Sequence, residues 1–328
     1  VIKEYERGGH TFVSIENQET FVEFLPEVGG KMTQLLNKKT GTQFLLGPQN
    51  EEEDYKQAAY GADFEKFDTS GFDECFPTIE ESVYRQVNSP EQETGKTIPD
   101  HGELWSRPWD YEYANEILYL SIDGVKFDYT LKKTIHLDSN SLHIQYNLLN
   151  NGAEPFTYLW SAHPLLKVDP GAEILLRDNI DKVFVNWASD PDIGRYGDYL
   201  PWPYMYTNGR TINYAIVQDK DITQAAKVFS PPLQHGFAGV YIPEKDETVA
   251  FEFDVEKTPF LGIWLCYGGW PATAENKHLT VGLEPTNGWP DSLENAVNQG
   301  ECSSLDAGAK TTWPLTVSLW EGIPQRLH

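Results

Sequence analysis

Val125-Lys126-Phe127-Asp128-Tyr129-Thr130-Leu131 and, after the polar turn Asp138-Ser139-Asn140-Ser141, Leu142-His143-Ile144-Gln145-Tyr146-Asn147-Leu148 alternate apolar and polar side chains with period two. That period puts one row of side chains on a buried sheet face and the other toward solvent, which a 3.6-residue helical period cannot do. Asp123-Gly124 precedes the first run, and both residue types tolerate the positive φ of a hairpin turn. Three consecutive antiparallel strands in a meander are therefore expected.

The same reading extends outward in both directions. Strands are expected at Thr11 to Ile15, Phe21 to Leu25, Met32 to Leu36, Phe156 to Ala162, Gly236 to Ile242, Val249 to Asp254, Gly262 to Cys266, Leu279 to Glu284 and Leu315 to Trp320, with turns at Asn37-Lys38-Lys39-Thr40-Gly41 and Asn150-Asn151-Gly152. So many strands with so little helix between them imply an all-β fold of large stacked antiparallel sheets. Short helices are expected only at 49–56 and 291–297. Residues 187–212, rich in Trp, Tyr, Pro, Gly and Asp, read as a long ordered loop of the kind that borders a ligand site. No repeat, linker or low-complexity tract divides the chain, so residues 1–328 are expected to form a single domain.

Composition narrows the partners. Lys and Arg total 25 against 50 Asp and Glu, a formal charge of -25 that repels nucleic acid and anionic membrane surfaces. No cluster of Arg and Lys offers a seat for a phosphorylated substrate. Cys75, Cys266 and Cys302 are odd in number and lack C-x-x-C spacing, which points away from a disulfide framework or zinc knuckle and toward a cytoplasmic setting. No stretch approaches the roughly 18 apolar residues of a membrane span, and the absence of an initiator Met leaves room for a removed leader.

Three residues carry the chemistry that can be read directly. His101 lies in Pro99-Asp100-His101-Gly102-Glu103-Leu104-Trp105, His163 in Trp160-Ser161-Ala162-His163-Pro164, and Glu284 in Gly282-Leu283-Glu284-Pro285. Glu284 ends an apolar run, where a carboxylate is costly unless a function or an ion pair with Lys or Arg keeps it there. An imidazole and a carboxylate among tryptophans suit proton transfer on a neutral polyhydroxylated ligand, a sugar above all. Asp73 and Glu74 could accept bonds from its hydroxyls, Trp105, Trp160 and Trp289 could offer faces to its C–H groups, and Arg107 could reach an oxygen or pair with Glu103. His10, His136, His143, His235, His278 and His328 read as structural. A metal site from His101, Glu103 and His163 matches no usual ligand spacing, and no metal or other cofactor is expected.

Gly71-Phe72-Asp73-Glu74-Cys75-Phe76-Pro77-Thr78, Pro99-Asp100-His101-Gly102-Glu103, Ser161-Ala162-His163-Pro164-Leu165-Leu166 and Gly282-Leu283-Glu284-Pro285, followed by Pro290-Asp291-Ser292, resemble the aldose 1-epimerase (galactose mutarotase-like) family. The early Leu25-Pro26-Glu27-Val28-Gly29-Gly30-Lys31 fits as well, so the ordered set covers nearly the whole chain. The resemblance implies a β-supersandwich with an open cleft and a cofactor-free isomerase that interconverts the α and β anomers of a free monosaccharide. It assigns Glu284 as the base at the C1 hydroxyl and His163 as the acid at the ring oxygen. His101 matches the second histidine, which binds the sugar. The expectation that goes with it is that a nearby carboxylate raises the imidazolium fraction of His163.

One departure bears on specificity. Galactose-specific members carry an arginine upstream of the first histidine, where this chain has Asp73-Glu74-Cys75-Phe76-Pro77, so the preferred sugar and the oligomeric state are left open. Two other readings compete: a non-catalytic carbohydrate-binding protein, and a glycoside hydrolase or lyase, which needs two opposed carboxyl groups.

Overall fold

The computed structural model describes residues 1–48, 55–85, 95–207, 209–272 and 277–325. Two antiparallel sheets dominate. The larger has thirteen strands, its main path running Ile2–Arg7, His10–Glu16, Thr20–Leu25, Lys31–Asn37, Phe72–Cys75, Ser161–Pro164, Leu279–Thr286, Phe260–Tyr267, Gln224–Phe229, Lys182–Ala188 and Tyr199–Pro201. The second has eight, ordered Glu173–Leu176, Phe237–Ile242, Glu247–Phe253, Lys310–Glu321, Ser141–Asn150, Tyr129–Asp138, Ile117–Asp123 and Asp110–Ala114.

The meander of Ile117–Asp123, Tyr129–Asp138 and Ser141–Asn150 is present, with His136 opposite His143 and Ile135 opposite Ile144. Its middle strand starts at Tyr129 rather than Val125. The Glu103 carboxylate takes the amides of Val125 and Lys126 at 3.0 and 2.9 Å, and Phe127 is buried against Tyr84 and Phe156. Those contacts hold 124–128 in a turn that the alternation alone could not reveal. The alternating rows meet in one large core between the sheets, where Phe72 touches Phe251 and Tyr146 stacks on Trp313.

A helix forms at Leu293–Gln299, capped by the Ser292 hydroxyl and ended by Gly300 at φ 74°. It begins after Asp291, which leaves that carboxyl outside the helix. The other helix expectation, at 49–56, falls mostly on residues 49–54, which lie outside the described residues; Tyr55 and Lys56 are not helical. Residues 187–212 are more ordered than a loop, because Tyr199–Pro201, Tyr204–Thr207 and Arg210–Asn213 are short strands. No helix of the described residues is long and apolar enough to cross a membrane.

Candidate functional site

On the larger sheet, the strands Ser161–Pro164, Leu279–Thr286, Phe260–Tyr267, Gln224–Phe229 and Lys182–Ala188 lie side by side, with Phe72–Cys75 next to the first of them, and form the floor of a cavity of about 550 Å³. Its walls include Phe64, His101, His163, Asn186, Trp187, Tyr196, Lys227, Trp264, Trp270, Glu284 and Asp291. Cross-strand register decides which side chains share that floor, since directly opposed residues of an antiparallel pair point to one face. His163 pairs with Asp73, Lys227 with Trp264, and Glu284 with Gly262.

Gly262 shapes the floor by what it lacks. A Cβ there would stand 3.1 and 3.2 Å from Cε and Nζ of Lys227, so the lysine chain lies across the glycine to bond Glu284 Oε2. At Gly282 a Cβ would lie 2.9 Å from Glu284 Oε1, the oxygen that has no hydrogen-bond partner among the described residues. Gly262→Ala should push the ammonium by a few tenths of an ångström with little change in stability, as a structure of the variant and thermal melts would show.

Lys227 is the charge centre. It bonds Glu284 and lies 3.7 Å from Asp291 Oδ1. Burial works against its charge, yet Asp291 and Glu284 outweigh that and hold the ammonium above its usual pKa. Asp291 is clamped by Asn186, whose amide donates to it at 2.9 Å while accepting the Asp291 N–H at 3.0 Å. Burial first, then Glu284 against the opposing pull of Lys227, pushes the Asp291 carboxyl up to about 6.

The histidines meet at the same cavity. Their ring centroids are 5.0 Å apart and nearly perpendicular, and Phe64 stacks on His101 at 3.9 Å. His101 takes φ 58°, a left-handed conformation that a non-glycine residue adopts only when its surroundings enforce it. Here His101 N–H donates to Ile79 O at 2.7 Å, Gly102 N–H to Pro99 O at 2.9 Å, and Asp100 bonds Nδ1 at 2.8 Å. His163 is buried and its Nδ1 has no hydrogen-bond partner among the described residues. Burial, then His101 and Lys227, holds its pKa well below the ordinary value, so the ring is neutral near pH 7. This reverses the expected rise in imidazolium, because burial dominates and the charges that act on the ring, His101 and Lys227, are of the same sign as the imidazolium. Cys75 Sγ and ring nitrogens of both histidines lie within 4.8 Å of one another and could share a metal ion, but burial pushes the Cys75 thiol up, and binding would require its proton to leave.

The remaining expected residues are placed elsewhere. Asp73 pairs with Lys31 at 3.0 Å, one strand beyond His163. Glu74 points into the space between the sheets, as the neighbour of a cavity-face residue must, and there it binds Lys133 at 2.9 Å and the Tyr146 hydroxyl at 3.0 Å. Trp160 is buried against Tyr146 and Trp313, and Trp289 packs on Phe184 at 4.4 Å. Trp105 backs the cavity wall by packing edge-on against Phe64. Arg107 donates to Asp123 O instead of pairing with Glu103, whose carboxylate is held by Tyr60, Tyr129 and the two turn amides. His278 is buried against Trp270, which pushes its pKa down to about 4; His136 and His143 stack, His10 bonds Glu27, and His235 bonds Asp178. His328 lies outside the described residues.

The architecture is that of the galactose mutarotase-like all-β fold. Solved structures align over almost all of the chain: a galactose mutarotase-like protein from Lactobacillus casei ATCC 334 (18% identity, TM-score 0.69, covering 94% of this chain and 100% of that one), one from Clostridium acetobutylicum (13%, 0.69, 98% and 98%) and a protein from Synechocystis sp. PCC 6803 (15%, 0.68, 98% and 96%). The aldose 1-epimerase family model matches residues 11–184, more than half of the sequence, and the chain belongs to that family. No curated protein matches it.

Proposed function

We propose that the protein interconverts the anomers of a free neutral sugar by opening and reclosing its ring. The observation that carries this reading is Glu284 Oε1, a buried carboxylate oxygen without a hydrogen-bond partner among the described residues, on a cavity wall shared with His163 and His101. Such an oxygen is costly unless a ligand completes it. A C1 hydroxyl would do so and give up its proton there.

Glu284 is the base in this reading. His163 faces the ring oxygen as a neutral donor, its ring N–H stabilising the alkoxide that forms as the C1–O bond to the ring breaks. A neutral imidazole held so by its surroundings can perform that role. Closure on the other face of the aldehyde returns the proton from Glu284. His101, oriented by Asp100, binds a neighbouring oxygen.

The pH profile separates this from an imidazolium acid, which would lose activity as pH rises past the ordinary histidine range. Here kcat/KM is expected to stay level from about pH 7 to 9 and to fall as pH drops through about 6, where Asp291 takes a proton and loosens its hold on Lys227. NMR exchange on freshly dissolved anomers, corrected for the uncatalysed rate, gives the profile. A panel of neutral sugars none of which relaxes faster with the protein would refute the proposal.

A hydrolase is less well supported. Asp291 supplies a second carboxyl, yet it and Glu284 gather on one ammonium instead of facing each other across a glycosidic bond.

A further inference from the structure

The cavity has two halves of different chemistry. Glu284, Lys227, Asp291 and the two histidines make one half polar, while Trp187, Trp264, Trp270 and Leu165 make the other apolar. Register sets the two chemistries side by side: Trp187 and Trp264 are the cross-strand partners of Lys227, one on each side of it. Their indoles lie 5.7 Å apart at 33°, a shallow trough, and Trp270 stands 5.9 Å from Trp264 at 87°.

Trp187 is 40% exposed, an unusual place to leave the largest apolar side chain. At about 550 Å³ the cavity falls within the 300–1,000 Å³ range typical of drug-sized ligands, which are larger than one pyranose. The proton-transfer groups, however, serve one anomeric centre. Space and apolar surface are therefore left over beside the polar half.

We propose that the tryptophan trough is a second sugar subsite, and that the preferred substrate is the reducing end of a disaccharide or longer oligosaccharide; this rests on the mutarotase reading of the polar half. The reducing ring meets Glu284 and His163. The next ring lays a face of C–H groups on Trp187 and Trp264, with its hydroxyls at the polar rim formed by Tyr196, Glu80 and Asn295. An anionic substituent would instead face Glu80, Asp100, Glu284 and Asp291 against the Lys227 ammonium. Contact energy gained away from the reacting centre then raises kcat/KM through better positioning.

The test compares anomer exchange of maltose, cellobiose and lactose with that of glucose and galactose. At least one disaccharide should show kcat/KM about tenfold or more above its reducing-end monosaccharide, a difference equal to about 1.4 kcal/mol. Trp187→Ala should remove that advantage by lowering kcat/KM for the disaccharide about tenfold more than for the monosaccharide. Equal rates for both sugar sizes, equal loss on both, or no effect of Trp187→Ala would overturn the subsite.

A binding measurement keeps the two readings apart. Methyl glycosides of the same disaccharides and monosaccharides cannot open, so tryptophan fluorescence titration reports binding alone. Tighter binding of the disaccharide glycoside, lost in Trp187→Ala, upholds the subsite even if no free sugar is turned over. Equal binding of both glycosides removes it even if monosaccharides are turned over.

Discussion

Glu284→Gln should lower kcat/KM for anomer exchange by about 10²–10⁴-fold while leaving the protein folded. The amide keeps the volume of the carboxyl and can still meet Lys227 through its oxygen, so the cavity survives. It cannot take the C1 proton. Because the loss is confined to proton transfer, it should appear in kcat and leave KM nearly unchanged. His163→Ala should cost less, about 10²-fold, and His163→Gln should keep part of the rate, because an amide N–H can still stabilise the ring-oxygen alkoxide. That partial rescue is specific to a neutral donor; an imidazolium acid would not be replaced by an amide. Polarimetry on fresh α-anomers with the spontaneous rate subtracted measures all three variants. Full activity of Glu284→Gln would end the assignment of the base.

The sheets were legible because period-two alternation is enforced by burial on one face, and that constraint is written into each strand separately. Tyr129–Asp138 and Ser141–Asn150 show it most clearly. What failed locally failed where a distant group intervened: Glu103 captures the amides of Val125 and Lys126 and ends a strand early. His163, His101 and Glu284 were legible through their motifs. Lys227 was not, because Gln224–Phe229 reads as an ordinary buried strand and nothing local says that its lysine crosses a glycine two strands away from His163. The combination of an interior lysine in one strand and a glycine in Gly262-Ile263-Trp264 is the available signal, and it acquires meaning only once the register is known. Asp73 and Glu74 show the converse error. Adjacent residues of a strand face opposite ways, so at most one of them could have pointed to a sugar on this face, and Glu74 instead anchors Lys133 between the sheets.

Lys227→Met should strongly lower stability and should also narrow the pH range of activity. The lysine is 5% exposed, and its removal leaves Glu284 and Asp291 buried without a cation. Breaking one side of a buried pair typically costs about 3–5 kcal/mol, roughly a 4–7 °C fall in Tm for a chain of this size. The sign of its pH dependence follows from Asp291. Its carboxyl already sits up at about 6, and losing the ammonium that pulls it down raises it further. A carboxyl raised on folding favours the protonated native state, so the deficit of the variant is largest well above that pKa and shrinks as pH falls below it. The acid limb of kcat/KM should move upward for the same reason. Lys227→Met combined with Glu284→Gln should recover part of the lost stability, since one buried charge is gone, and recover no activity. Thermal melts at pH 5.5 and 8 with kinetics at both values would show the pattern. A variant as stable and as active as the parent at pH 8 would mean that the ammonium does not hold these two carboxylates in the folded protein.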